Sequence, residues 1–442
     1  MRTVYVEVSN TLALGFTTGI QRVTKETLRA VQKISSSYRF IPILYCPWCA
    51  TWRHLTDTEN LALFSQTGYR KNCNEAISGW YHLARKMAPF LKQLPGVYRL
   101  LQQYKKIRHP PCDPALFIQD FEQGAIFLDM ESSWFSPMGR DELLGSLQRK
   151  KVWVAVIHYD IIPFLFPEYV HPETAKRFAL HFDAHIRHNS TFFCISDNTL
   201  SDLQRYVAAH YLARPLRSDR ITLGANYRQT NDSSNPSLPR LVAGKRYILS
   251  VGTVEPRKNY DCLLTAFEMV AEKTENLFLV IVGKKGWRSE NFFTRLERHP
   301  LYDTKIFWFS NIDDQQLTTL YQNAYLGIVP SLYEGYGLPV VEMLLHGCVT
   351  LSSDRGSLPE VGSNFVEYFN PERPGEISRL ILRYCRDTAL HRARKKRLEQ
   401  YTAPTWEETA HELVGLLDTH FGSSQPNPAK RSEQGDATRI YQ

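Results

Sequence analysis

The sequence lacks several features that would assign it to a membrane-spanning or disulfide-stabilised class. In its 442 residues no apolar run approaches the length that crosses a bilayer, and Met1 leads directly into a strand-like segment rather than a signal peptide. The eight cysteines are scattered without a disulfide framework. We therefore expect a cytoplasmic chain with reduced thiols, long enough for two domains that each have a core.

Acidic residues are absent from Ala76 to Cys112, where lysines and arginines alternate with aromatic and aliphatic side chains. Such a segment can lie on an anionic membrane surface, where each nearby cation adds about 1 kcal/mol of attraction. It can equally be the solvated face of an insertion that covers an ordinary core. Both interpretations stay open. No helix-turn-helix, finger or RNA-binding signature accompanies the segment, so we expect no nucleic-acid partner.

One pair of cysteines, Cys46 and Cys49, has the two-residue spacing of half a zinc site or of a redox pair. No second pair of this kind and no nearby histidine pair follows, and a thioredoxin pattern is absent. We therefore expect no metal site and no cofactor in this protein.

The most informative segment, residues 331–342, combines two carboxylates with a glycine-rich turn. A short apolar run precedes it, and Pro339 favours a helix start, so the segment predicts a strand, a turn and a helix. A helix that begins after Gly337 presents free N–H groups and its positive dipole end to an anion. Glu342 then lies about one turn into the helix, after Glu334 in the turn. By itself, a glycine turn of this kind is often only structural.

A second block, residues 247–260, reads as a strand that ends at Gly252 and leads into a helix through Arg257 and Lys258. The planar arginine fork and the lysine point charge can neutralise the charge that grows on a diphosphate leaving group. A solvated surface pair is the alternative. The presence of the glycine turn in the same half of the chain favours the diphosphate interpretation.

These two blocks resemble the family-four retaining glycosyltransferases. Glu334 and Glu342 have the spacing of the family's E-x(7)-E signature, and residues 252–259 resemble its Gly-Thr-x-Glu-Pro-Arg-Lys-Asn variant. Many relatives carry an arginine where this chain has Thr253, so a second cation has to come from Arg257 or elsewhere. The resemblance implies the GT-B fold, with two facing Rossmann-like domains.

The first half of the chain carries two further resemblances to this family. Gly19 opens a helix in a Gly-Ile-x-Arg loop, and an apolar strand over residues 152–157 delivers His158 at its end. The second segment is similar to the family's His-Asp-x-Ile-Pro motif, with Tyr159 inserted before Asp160. The resemblance implies that His158 holds the transferred sugar and lines the acceptor side.

The expected fold class is α/β, with parallel sheets in both Rossmann-like domains and a C-terminal crossover helix. A polar, proline-bearing stretch at residues 231–239 predicts the linker between the domains. The expected parts are an acceptor-side domain (1–232, with the basic insertion at about 76–112), a nucleotide-sugar-binding domain (240–400), a crossover helix (401–421) and a mobile tail (422–442).

The resemblance implies a retaining enzyme that moves a hexose from a nucleotide diphosphate sugar to a saccharide or lipid-linked saccharide. Similarity to bacterial polysaccharide mannosyltransferases favours GDP-mannose as the donor. The expected location is the cytoplasm, and the membrane interpretation of the basic segment would place the chain at the inner face of the cell membrane. The implied catalytic residues are His158, Glu334, Lys258 and Arg257. The implied donor-binding residues are Gly19, Gly252, Tyr336, Gly337, Leu338 and Glu342. The alternatives are a sugar-nucleotide epimerase and a non-catalytic relative that binds nucleotide sugars.

Overall fold

The computed structural model describes residues 1–13, 19–47, 49–64, 112–211, 215–225 and 242–422. The basic stretch up to residue 111, the linker at 231–239 and the tail from residue 423 lie outside the described residues. Contacts divide the chain into unit 1 (Met1–Val156, Asp183–Ser190 and His420–Gln442) and unit 2 (Ile157–Phe182 and Thr191–Thr419). The domain limits expected from the sequence stay predictions.

Thirteen strands lie in the described part of the chain and form two sheets. They are β1 (Arg2–Glu7), β2 (Tyr38–Cys46), β3 (Thr51–His54), β4 (Ile126–Asp129), β5 (Trp153–His158), β6 (Thr191–Cys194), β7 (Arg217–Arg220), β8 (Arg246–Val251), β9 (Leu277–Val282), β10 (Ile306–Phe309), β11 (Leu326–Val329), β12 (Thr350–Ser353) and β13 (Glu367–Phe369). The strand orders are β3-β2-β1-β4-β5-β6-β7 and β10-β9-β8-β11-β12-β13.

Helices connect most of these strands. Those in the described residues are α1 (Ser9–Ala13), α2 (Gly19–Val31), α3 (Asp57–Phe64), α4 (Arg140–Arg149), α5 (Ile162–Leu165), α6 (Pro172–Arg187), α7 (Asp197–His210), α8 (Tyr260–Ala271), α9 (Glu290–Glu297), α10 (Asp314–Asn323), α11 (Leu338–Leu345), α12 (Leu358–Gly362), α13 (Pro374–Arg386), α14 (Thr388–Arg397) and α15 (Trp406–Phe421). The alternation of strands and helices confirms the predicted α/β class with two Rossmann-like sheets.

The six-stranded sheet, β8 to β13, lies in unit 2 and is parallel throughout, and its central strands are buried. Strand β9 is an uninterrupted apolar run between β8 and β10, as expected for a parallel strand covered on both faces. The chain passes from β8 outward through β9 to β10 and then returns to place β11 on the other side of β8. The sheet therefore has a topological switch point between β8 and β11, where ligands of α/β proteins commonly bind.

Unit 1 contains β1 at the centre of its strands, paired in parallel with β2 and β4. Helix α2 buries Val23 and Leu28, as its apolar spacing predicts. Strand β3 departs from the expected parallel arrangement, because it runs antiparallel to β2 as the second arm of a hairpin. An edge strand joined by a short loop can only return in this direction.

The closing helix expected from the sequence is present as α15. In unit 2, Thr409 accepts a hydrogen bond from the Gly224 amide (2.7 Å) and donates one to the Thr222 carbonyl (2.9 Å). A β-carbon on Gly224 would lie 2.5 Å from the Trp406 nitrogen, so this contact requires glycine. Among the described helices, none is both long enough and apolar enough to cross a membrane.

Candidate functional site

The loops after β8 and β11 leave the same edge of the unit 2 sheet, because these two strands are parallel neighbours. The loop after β8 carries Arg257 and Lys258, and the loop after β11 carries Glu334. The Leu332 amide donates to the Arg257 carbonyl at 2.8 Å, which joins the two loops through their backbones. The switch point of the sheet thus brings together residues that are 76 and 77 positions apart.

Glu334 accepts hydrogen bonds from two cations at once. Its Oε2 lies 2.7 Å from Nη1 of Arg257, and its Oε1 accepts from Nζ of Lys258. The Ser331 hydroxyl also donates to Oε1 at 2.7 Å. Glu255 pairs with the other arginine nitrogen, Nη2, at 2.8 Å. The side chains form one compact network of alternating charge.

Burial and charge act in opposite directions on this network. Burial of Glu334 would raise its pKa, but Arg257 and Lys258 outweigh burial and lower that pKa to about 2. Burial would likewise lower the pKa of Arg257, and the carboxylates of Glu334 and Glu255 raise it above its ordinary value. Glu334 and Arg257 are therefore charged at neutral pH.

The turn that holds Glu334 is anchored through the next residue, Gly335. The Gly335 carbonyl accepts hydrogen bonds from the Ser196 hydroxyl (2.8 Å) and the Thr199 hydroxyl (3.0 Å) at the start of α7. A β-carbon on Gly335 would lie 2.2 Å from the Tyr159 carbonyl oxygen. Because this neighbour is backbone, the position accepts only glycine without displacement of the loop.

Helix α11 begins at Leu338 with Gly337 as its N-cap residue, at φ 110°. This left-handed conformation favours glycine, and the predicted start near Pro339 is thus confirmed. The Tyr336 hydroxyl donates to the Leu223 carbonyl at 3.0 Å. The first turn of the helix carries a partial positive charge toward the loop that holds Glu334.

Glu342 lies one turn into α11 and is 6% exposed. The Tyr321 hydroxyl donates to its Oε2 at 2.7 Å. The Tyr321 ring stacks on the His346 ring with centroids 5.6 Å apart, which fixes the hydroxyl. Glu342 therefore has a neutral partner, unlike the doubly ion-paired Glu334.

The loop that carries the two cations is fixed by its flanking residues. Arg257 and Lys258 lie in a single 3-10 turn, Pro256–Lys258, which ends at Asn259 in the left-handed conformation (φ 60°). The Asn259 side-chain amide donates to the carbonyls of Pro330 (3.1 Å) and Pro371 (2.7 Å). Gly252, at the end of β8, accepts from the Tyr260 hydroxyl at 2.9 Å. The cations are thus held before any ligand arrives.

His158 ends β5 and is 5% exposed, in contact with the rings of Phe182 and Phe192 at centroid distances of 5.9 and 5.5 Å. Asp160, two residues later, accepts a hydrogen bond from the Ile162 amide at 3.0 Å. Burial raises the pKa of Asp160, against the opposing effect of Arg257. Gly19, the first residue of α2, belongs to unit 1 and is exposed.

Sequence reasoning missed a polar contact set behind the glycine turn. The Tyr333 hydroxyl donates to the Asp202 carboxylate and accepts from the Asn198 amide at 2.7 Å. The Ser357 hydroxyl donates to the Tyr336 carbonyl at 2.6 Å. Tyr333 and Asp202 are 131 positions apart, so no local pattern in the sequence connects them.

Residues 237–402 match the family model described as Glycosyl transferases group 1. The chain carries a group 1 glycosyltransferase domain. The matched region contains both loops of the candidate site, and it confirms the family-four resemblance drawn from their motifs.

Among curated relatives, the serotype-specific mannosyltransferase WbdA of Escherichia coli is 27% identical over 343 residues, which are 73% of this chain and 41% of WbdA. The O-antigen chain mannosyltransferase B of Escherichia coli is 28% identical over 58% of this chain and 68% of its own length. The chain thus spans about two fifths of the WbdA length. These relatives give no support to the epimerase alternative.

Solved structures confirm the fold. The structure of Anabaena HepE in complex with UDP and glucose has a TM-score of 0.58 at 12% identity and covers 95% of this chain and 100% of its own. Sucrose-phosphate synthase from Thermosynechococcus elongatus has a TM-score of 0.58 at 14% identity and covers 96% of this chain and 100% of its own. Both likenesses concern the GT-B architecture alone.

Proposed function

We propose that this chain is a retaining glycosyltransferase that moves a hexose from a nucleotide diphosphate sugar to a saccharide or lipid-linked saccharide hydroxyl. The observation that carries the proposal is the pairing of Arg257 and Lys258 on Glu334, next to the start of α11. Mannose is the proposed sugar and GDP-mannose the proposed donor, since WbdA and the O-antigen enzyme are both mannosyltransferases.

The two cations and the helix start would bind the diphosphate. An ammonium has three N–H donors and a guanidinium has five. Lys258 donates to Glu334, and Arg257 donates to Glu334, to Glu255 and to the Tyr333 carbonyl. A diphosphate placed here would meet fixed positive charge from both side chains and from the first turn of α11. This charge would stabilise the leaving group as the bond to the sugar breaks.

The two glutamates would hold the two sugars at either end of the diphosphate. Glu334 would accept hydrogen bonds from hydroxyls of the transferred hexose, and its lowered pKa keeps it ionised for this role. Glu342, oriented by Tyr321, would accept from the ribose hydroxyls of the nucleoside. Gly252, Gly337, Leu338 and Tyr336 would contribute backbone groups around the donor.

The proton of the acceptor hydroxyl would pass to an oxygen of the departing phosphate. The new bond then forms on the face of the sugar that the phosphate leaves, so the anomeric configuration is retained. No metal and no dedicated carboxylate base are needed in this scheme. His158 would hold the transferred sugar, and the family resemblance also implies a donor-binding role for Gly19.

The proposed working place is the cytoplasm, at the inner face of the cell membrane when the acceptor is lipid-linked. Basic residues between 76 and 112 would favour anionic lipid there. This part of the proposal rests on the sequence alone.

The test is incubation of the protein with GDP-mannose, GDP-glucose, UDP-glucose and UDP-N-acetylglucosamine, each with a mannose-terminated acceptor. We expect transfer from GDP-mannose and slow hydrolysis without acceptor. Proton NMR of the product reports the configuration of the new bond, and an inverted product would contradict the retaining mechanism. An isomerised donor would instead establish an epimerase, and donor binding without turnover would establish a non-catalytic binding protein.

A further inference from the structure

Three cysteines of unit 1 converge although they are far apart in the sequence. Cys46 is the last residue of β2, Cys49 lies in the loop that leads to β3, and Cys112 belongs to a later segment. The Sγ atoms of Cys46 and Cys112 are 3.2 Å apart, and all three sulfurs lie within 4.8 Å of one another. None of them takes part in the chemistry proposed for unit 2.

Backbone pairing fixes this convergence. Strands β2 and β3 form a hairpin in which Cys46 faces Thr51. The segment that follows Cys112 runs beside β3, because the Ile118 amide donates to the Trp52 carbonyl at 2.9 Å and Phe117 forms an isolated bridge with Arg53. The three thiols are therefore brought together by a hairpin and a third chain segment, and not by side-chain flexibility.

Each of the two cysteines outside β2 lies next to a turn. Ala50, directly after Cys49, has a φ of 50°, so the hairpin loop turns back sharply at this point. Asp113, directly after Cys112, accepts a hydrogen bond from the Ala115 amide at 2.9 Å and caps a 3-10 turn. Each cysteine outside β2 thus adjoins a turn of defined geometry.

The distances suit a zinc ion. Zinc–sulfur bonds of about 2.3 Å in a tetrahedron place the sulfurs roughly 3.8 Å apart, close to the separations observed. In the described residues the group contains these three cysteines and no further Cys, His, Asp or Glu. Because Cys49 is exposed, solvent can supply the fourth ligand. A disulfide requires sulfurs at about 2.05 Å, so the thiols are separate as they stand.

An arginine lies near the charge that such a site would carry. Three thiolates on one Zn²⁺ leave a net charge of −1. The hydrogen bonds that Arg53 donates to Glu59, and in addition the nearby Cys112 and Cys46, raise the pKa of Arg53. This guanidinium is 7% exposed and pairs with Glu59 through two contacts of 2.7 Å. The group near the thiols is therefore a buried Arg53–Glu59 ion pair.

We propose that Cys46, Cys49 and Cys112 bind one Zn²⁺ ion, with a water molecule in the fourth position. On binding, each thiol releases its proton to solvent and donates a lone pair to zinc, with no change of oxidation state. The ion would fasten the β2–β3 hairpin to the segment after Cys112. The expectation of no metal is revised here, because the sequence did not connect Cys112 with the Cys46 pair.

The test uses the full chain, purified with a phosphine reductant, stripped with a chelator and dialysed against Zn²⁺. Elemental analysis is expected to find one zinc per chain in the wild type and none in Cys49→Ser or Cys112→Ser. Cys262→Ser is the matched control, because this half-buried cysteine lies in α8 of unit 2. It should retain the metal. Co²⁺ should give the thiolate charge-transfer band only where zinc binds.

A second measurement needs no variant and so does not depend on how the variants fold. Zinc should slow alkylation of Cys46, Cys49 and Cys112 in the wild type, as read by peptide mass spectrometry, and leave Cys262 unchanged. It should also raise the unfolding temperature of the wild type, because it binds the folded state. Equal alkylation rates with and without zinc, or equal zinc content in wild type and Cys112→Ser, would overturn the proposal.

Discussion

Glu334 in unit 2 and Glu7 in unit 1 are both buried glutamates that accept hydrogen bonds from an arginine. Their pKa values nevertheless move in opposite directions. Burial raises the pKa of Glu7 to about 7 in spite of the attraction of Arg140. Burial acts on Glu334 in the same sense, but Arg257 and Lys258 bring its pKa down to about 2.

The number of cations for each carboxylate decides this difference. In unit 1, Arg140 lies 2.9 Å from Glu7 and 3.5 Å from Asp129, so one guanidinium serves two carboxylates. Burial and then the charge of Glu7 raise the pKa of Glu131 as well. Glu334 instead contacts two cations, Lys258 and Arg257, of which Arg257 also pairs with Glu255. An arginine beside a buried carboxylate therefore guarantees neither ionisation nor an anion site, and the second cation at Glu334 supports the diphosphate site proposed for unit 2.

The largest effect is expected for Lys258→Ala, which leaves Glu334 with Arg257 as its one cation, shared with Glu255. The loss of one preorganised donor to developing negative charge should lower kcat/KM by about 10²–10³-fold. Transfer assays with the donor identified among the four nucleotide sugars would measure this decrease in kcat/KM. Lys273→Ala is the control, because Lys273 is an exposed lysine of the same unit. A rate in Lys258→Ala close to that of the wild type would contradict the assigned role.

Acid should destabilise the wild type through Glu334. Its folded pKa of about 2 lies below the ordinary value of 4.5, so its contribution is present above pH 4.5 and is lost as the pH falls toward 2. The loss amounts to about 3 kcal/mol. Urea unfolding of wild type and Glu334→Gln between pH 5 and about 2.5 would measure it. The difference between the two proteins should shrink on acidification, and a constant difference would contradict the lowered pKa.

Glu7 should show the opposite slope. Its folded pKa of about 7 lies above 4.5, so its contribution is fully present below pH 4.5 and is lost as the pH rises through 7. The wild type should lose about 3 kcal/mol relative to Glu7→Gln over this range. Urea unfolding at pH 5 and at about pH 8 would measure the change. Parallel pH profiles for the two proteins would remove the contrast between the units.

Gly335→Ala should disturb the unit 2 cluster without a change of charge. The new methyl group meets the Tyr159 carbonyl at 2.2 Å, so the loop that carries Glu334 has to move. We expect the free energy of unfolding to fall by about 2 kcal/mol. The further loss of this free energy on acidification should be smaller than in the wild type. Gly415→Ala is the matched control, since nothing lies within 4 Å of its new β-carbon. Equal effects of the two substitutions would show that the close approach at Gly335 carries no constraint.

Tyr321→Phe should give the smallest effect, because Glu342 has a neutral partner. Loss of the Tyr321 hydroxyl removes its hydrogen bond of 2.7 Å to Glu342, which is worth about 1 kcal/mol. Donor affinity should fall about fivefold, as measured by calorimetric titration with the nucleoside diphosphate. An unchanged affinity would show that Tyr321 does not orient Glu342 for the donor.

Much of the fold could be predicted from local pattern, and some strands could not. The buried parallel strand β9 is an apolar run that reads directly as a strand. The edge strand β7 consists of Arg217, Ser218, Asp219 and Arg220 and has no apolar residue, so nothing in its sequence indicates a strand. Its conformation comes from its parallel pairing with β6.

The candidate site divides in the same way. Motif and spacing indicated Glu334, Glu342, Arg257 and Lys258, and the structure brings three of these four into direct contact. The spacing did not show that both cations share one carboxylate. The Tyr333–Asp202 contact was also missed, because it joins the turn to a distant helix.

The sequence by itself determined the alternation of strands and helices, the glycine turn and the start of α11, because backbone preferences and apolar periodicity act over a few neighbouring residues. Only the tertiary structure decided that Lys258 donates a hydrogen bond to Glu334 and that the Cys112 sulfur lies beside the Cys46 sulfur. Those contacts depend on which strands become neighbours in a sheet. The same holds for the opposite pKa shifts of Glu7 and Glu334, since burial and the count of nearby charges exist only in the folded chain.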